Sequence, residues 1–168
     1  RWPVLKQLVK GSMDLQAGLD TEDAQRLKQA VATLNPAQVK SFQEGLSLVG
    51  VYTHGTHVAG IAVDGNPFAR VYTATMLWEH RTEPVKPTEE MSRRTAANYK
   101  QIVQSFKDQK LRVVNMSWRY GASAYEGMLA WHNVGANPEE RKQLARRLFA
   151  MERDALRQAI ASAPEILF

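Results

Sequence analysis

The chain has no cysteine, which excludes disulfides, thiolate metal ligands and a cysteine nucleophile. Long uncharged apolar runs are missing too. The stretch from Leu46 to Val63 is interrupted by His54, Gly55 and His57 and is too polar to span a bilayer, so no membrane partner is expected. Low-complexity tracts and internal repeats are absent, which removes solenoid and collagen-like architectures. Arg1 is preceded by no initiator methionine and no charged-then-apolar leader, so a signal peptide is expected to have been removed or left out.

The balance of what is present is that of one globular domain: 168 residues, 44% hydrophobic and 23% charged. A net charge of +5 and a pI near 9.6 raise the question of an anionic partner. The basic residues alternate with Glu and Asp along helices, which is the pattern of a solvated face. The arginine pairs Arg93-Arg94 and Arg146-Arg147 have no interleaved aromatics to stack bases. No nucleic-acid partner is expected.

The first fifty residues read as helical. Asp20 can cap a helix in which Ala24, Leu27, Ala30, Val31 and Leu34 recur at helical spacing. Asn35-Pro36 ends it and opens another, with Val39, Phe42 and Leu46 on one face. Beyond Asp64-Gly65-Asn66-Pro67, the run Phe68 to Trp78 is rich in β-branched and aromatic residues and is expected to be a strand. A helical stripe of Met91, Thr95, Tyr99, Ile102, Val103 and Phe106 follows, and then a second expected strand, Leu111 to Trp118. Strand, helix, strand implies a right-handed crossover in a parallel sheet. Asn137-Pro138 with Glu140 starts a last long helix, which Pro164 ends, and Ile166-Leu167-Phe168 read as the opening of a third strand. That ending suggests a piece cut from a longer domain.

The run Thr53-His54-Gly55-Thr56-His57-Val58-Ala59-Gly60-Ile61 carries the chemistry. A catalytic histidine needs one ring nitrogen facing a nucleophile, the other held by a carboxylate, and small neighbours that admit substrate. Gly55 and Gly60 supply that room. From His54 to Gly60 the run resembles, letter for letter, the HGTHVAG histidine motif of the subtilisin-like serine peptidases. The resemblance implies that His54 is the general base, at the start of a helix running to Val63, and that His57, one turn on, is structural. Downstream, Val113-Val114-Asn115-Met116-Ser117-Trp118 is similar to the family strand ending in N-M-S-hydrophobic-G. This assigns Ser117, Trp118 and Arg119 to the wall along which an extended substrate pairs. Arg119 stands where the family usually has glycine.

The implied fold is α/β: part of a three-layer α/β/α subtilisin-like domain with a parallel sheet over residues 50–168, preceded by a helical segment, 1–49, of unknown role. Two parts of the machinery are missing. Asp20-Thr21-Glu22 lacks the glycine and the strand of the family's aspartate motif, and Asp14 is no better placed; no G-T-S-M-A nucleophile run occurs. The expectation is therefore a portion of a serine endopeptidase that is inactive by itself, with a peptide or protein as substrate and the remainder of the peptidase domain as partner. Self-association through uncovered surface is also expected, and no cofactor is implied. A secreted or periplasmic location is family habit. The rival reading is a non-catalytic, protein-binding relative.

Overall fold

A computed structural model describes residues 2–76, 79–118 and 121–168. Six helices occur among them: α1 (Trp2–Gln16), α2 (Glu22–Ala32), α3 (Pro36–Val63), α4 (Glu89–Asp108), α5 (Ala122–Trp131) and α6 (Pro138–Ala161). They fall into two compact units, Arg1–Glu83 and Pro84–Phe168. None of the helices is long and apolar enough to cross a membrane.

In the first unit α1 packs against both α2 and α3. The approach to α2 is close because position 11 is glycine: a Cβ there would lie 2.2 Å from the Asp23 carbonyl oxygen. Thr21, one residue later than the expected Asp20, caps α2 by accepting from the Ala24 N–H at 3.2 Å. Asp20 instead pairs with Lys28 at 2.8 Å. At the head of α3 the Asn35 side chain accepts from the Gln38 N–H and Gln38 reaches back to Asn35, with Pro36 in the first turn. This reciprocal cap satisfies two donors that a helix start would otherwise leave orphaned. The α3 helix then continues for 28 residues, through the whole histidine run. Leu8, Ala24, Leu27 and Val49 form the small buried interior.

The second unit is organised on α6, which packs against α4 and α5. Val103 and Phe106 of α4 bury against Ala159, Ala163 and Ile166. Tyr125 and Leu129 of α5 bury against Ala145 and Leu148. Thr88 caps α4 and Asn137 caps α6. Lys107 Nζ donates to the Ser162 carbonyl at 2.9 Å, and Arg147 pairs with Glu89 at 2.8 Å, so α4 and α6 are tied at both ends.

The expected parallel-sheet α/β/α fold is not what the chain adopts. Residues 68–76 are extended without a strand ladder, and the end of that expected strand, Leu77 and Trp78, lies outside the described residues. Of the segment 111–118, only Val113 makes a bridge, an isolated parallel one to Leu167. The physical reason is partnership. A β-rich run becomes a strand only when its N–H and C=O groups meet a neighbouring backbone, and these two runs belong to separate compact units. Helices satisfy their backbone hydrogen bonds within the segment itself. The segment Ala122–Trp131, with no helical or strand pattern read in its sequence, is the helix α5.

Candidate functional site

His54 lies inside α3, nineteen residues into the helix, and not at a helix start. Its ring is exposed, as is that of His57, three residues on. At that spacing the two side chains neighbour each other on one helical face. Neither imidazole hydrogen-bonds to another described residue. Thr53, just before them, folds its hydroxyl onto the Val49 carbonyl at 2.8 Å. A Cβ at Gly50, Gly55 or Gly60 would meet nothing within 4 Å, so the surroundings of the histidines are open to approach. The two upstream aspartates weighed for the triad are engaged elsewhere: Asp14 with Lys10 at 2.7 Å and Asp20 with Lys28 at 2.8 Å.

The expected substrate-wall residues lie in the second unit. Ser117 is exposed, and its hydroxyl both accepts from Asn115 Nδ2 at 3.0 Å and donates to Asn115 Oδ1 at 3.2 Å. Trp118 is half-buried and stacks on Tyr99 of α4, ring centroids 6.2 Å apart and planes 6° from parallel. Arg119 lies outside the described residues. His54 thus belongs to one unit, and Ser117 and Trp118 to the other.

Sequence reading passed over a polar centre inside the second unit. Glu152 of α6 is only 5% exposed and accepts a hydrogen bond from the Tyr125 hydroxyl of α5. Ser92 of α4, 1% exposed, completes the group, although its hydroxyl makes no hydrogen bond of normal geometry among the described residues. Burial raises the Glu152 pKa above the ordinary carboxyl value, and the Tyr125 and Ser92 hydroxyls pull it partly back. One signal was present in the sequence. Leu148, Glu152, Ala155 and Ala159 recur on the face that α6 buries, and a carboxylate in an apolar stripe is a group that needs a partner.

Beside this centre lies a cleft of about 130 Å³ lined by Tyr99, Trp118, Phe149, Glu152, Arg153 and Leu156. Among the described residues no group of three or more His, Asp or Glu could hold a metal ion.

Compared with known proteins, residues 17–159 match the model of the subtilase family. The match spans α2 through most of α6 and includes both the histidine run and the Asn115-Met116-Ser117 segment. No curated protein and no solved structure matches the chain.

Proposed function

The chain belongs to the subtilase family, and from that premise we propose that it carries the general-base histidine and part of the substrate wall of a serine endopeptidase. The observation that carries the proposal is the unbroken run from His54 to Gly60. In this reading His54 takes the proton from a serine hydroxyl as that oxygen attacks the peptide carbonyl, then returns it to the leaving amine; the acyl-enzyme left behind is hydrolysed by water. The exposed ring and the open space at Gly50, Gly55 and Gly60 are consistent with a base that has to receive a bulky substrate. The reading assigns the backbone edge for an extended peptide to Ser117, Trp118 and Arg119.

These 168 residues contain neither the family's nucleophile run nor its aspartate motif. Hydrolysis therefore requires a serine and an orienting carboxylate from the remainder of the peptidase domain. Uncovered apolar surface supports that partner: Ile61 of α3 is 66% exposed and Phe68 is 91% exposed. Surface of this kind also favours self-association.

The test is fluorophosphonate labelling and peptide turnover by the full gene product that contains this chain, with and without His54→Ala. Labelling and turnover that are lost in the variant support the peptidase. A folded product that binds peptides but neither labels nor cleaves them supports the rival, a protein-binding relative.

A further inference from the structure

His54 and His57 stand three residues apart on α3, so their Cβ atoms lie about 5–6 Å from each other on one face. Both side chains are exposed, and neither ring holds a hydrogen bond or ion pair with a described residue. By contrast, the His132 ring meets the Pro84 carbonyl at 2.7 Å. The ground around the pair is bare. A Cβ at Gly50, one turn before His54, or at Gly60, nearly one turn after His57, would meet nothing within 4 Å. The local charge also differs from that of the chain as a whole. In a protein of net charge +5, no lysine or arginine occurs from Ser41 to Ala69, and Asp64 closes α3 two turns beyond His57.

We propose that His54 and His57 together chelate one divalent transition-metal ion, of the Zn²⁺, Ni²⁺ or Cu²⁺ class, each through one ring nitrogen. Neutral imidazole suits these metals, whereas Ca²⁺ and Mg²⁺ call for oxygen ligands. Two unengaged rings on one face of a helix supply two ligands without moving the backbone, the same device by which paired histidines on a helix hold zinc. No group of three His, Asp or Glu that could hold a metal occurs among the described residues. Water therefore completes the coordination, and the ion exchanges where a closed structural site would retain it. An anion fits less well, since it would need both rings protonated and finds no lysine or arginine on this stretch. Both ligands meet only while the turn is helical, so the metal stabilises the glycine-rich end of α3. A metal on His54 would also block the proton transfer of the proposed peptidase; that consequence rests on the peptidase reading, and the site itself does not.

The experiment is calorimetric titration of the purified full chain with Zn²⁺, Ni²⁺, Cu²⁺, Ca²⁺ and Mg²⁺ in turn, with Zn²⁺ also followed by the histidine ring resonances. One ion per chain is expected, with Cu²⁺ bound more tightly than Ni²⁺ and no binding of Ca²⁺ or Mg²⁺. The His54 and His57 rings should shift together while those of His80 and His132 stay put. Acidification should release the ion, because metal and proton compete for the same nitrogens. His54→Ala and His57→Ala should each weaken binding at least tenfold, and His80→Ala and His132→Ala should not change it. Adding Thr56→His to His57→Ala restores the number of imidazoles but sets them two residues apart, off a common face, and should not restore affinity. Unchanged α6 amide resonances confirm that each variant is folded. Zn²⁺ should also slow amide exchange from His54 to Val63. Absence of Zn²⁺ binding to the folded chain overturns the proposal, as do single variants of unchanged affinity, rescue by Thr56→His, or displacement of the metal by Ca²⁺. Binding to the purified chain is read without turnover, so failure of the peptidase reading leaves this result standing.

Discussion

The Tyr125 hydroxyl donates a hydrogen bond to the Glu152 carboxyl and so joins α5 to α6 through the only buried acid among the described residues. Tyr125 is also part of the apolar cluster with Leu129, Ala145 and Leu148. Its ring and its hydroxyl therefore contribute separately. Tyr125→Phe keeps the ring and removes the donor, leaving Glu152 without its partner. The expected loss is about 1–3 kcal/mol, read as a lower denaturant midpoint for the second unit with an unchanged slope.

Glu152 and Asp14 contribute to the pH dependence of their units in opposite directions. Burial holds the folded Glu152 pKa above its ordinary 4.5. Below that ordinary value the group is protonated in both states and its contribution is fully present; the contribution is lost as pH rises through the raised folded value. In the first unit Asp14 is held below its ordinary 3.8 by Lys10 and then by Thr21. Its contribution is present above that value and is lost as pH falls through the depressed one. Acidification should loosen the first unit while the second holds, and Glu152→Gln should flatten the second unit's response. Thermal melts from neutral pH down to strong acid, with resonances assigned to each unit, measure both slopes. A single transition that Glu152→Gln leaves unshifted at every pH would refute the linkage.

How much could be read from residues alone divides along one line, local against non-local. The Asn35-Pro36 and Asn137-Pro138 starts and the α4 stripe through Tyr99, Val103 and Phe106 are set by neighbours within one or two turns, and they form as the sequence indicates. The expected strands depended on partners distant in sequence: residues 68–76 make no ladder, and residues 111–118 make only the isolated Val113–Leu167 bridge. The Trp118 stack on Tyr99 is likewise non-local, set by where the segment after α4 returns. The histidine run was legible as chemistry but not as conformation: nothing in its seven residues signals that α3 would begin at Pro36 and run through them.

Gly11 should tolerate no side chain. A Cβ 2.2 Å from the Asp23 carbonyl oxygen and 2.7 Å from its carbon meets backbone and not a movable side-chain tip. Gly11→Ala would gain helix propensity by roughly 1 kcal/mol but must separate α1 from α2. Overpacking of this kind costs about 1–3 kcal/mol. The net expectation is a destabilised first unit with the second unit unchanged, checked by amide chemical shifts confined to residues before Pro84. Unchanged or increased stability would mean that the two helices are not in this contact.

The purified chain should not hydrolyse peptides. In the proposed reading His54 is a base and needs a hydroxyl to deprotonate, and no nucleophile run is present to form an acyl-enzyme. A fluorogenic peptide library should show no turnover above background, and a fluorophosphonate probe should leave the chain unlabelled. Turnover that disappears in His54→Ala would reveal a nucleophile within these residues.

The length of α3 is at odds with its composition. Gly45, Gly50, Gly55 and Gly60 recur through it, each costing about 1 kcal/mol of helix propensity relative to alanine, and Val49 is its one fully buried residue. Few tertiary contacts offset that cost beyond residue 50, so this stretch opens by local unfolding at low free energy. Amide protons from His54 to Val63 should therefore exchange with solvent far faster than those of α6, whose Ala145, Leu148, Ala155 and Ala159 are all buried. The histidine motif thus sits on the long helix with the fewest buried residues, and its backbone is expected to be rebuilt readily when a partner supplies new contacts.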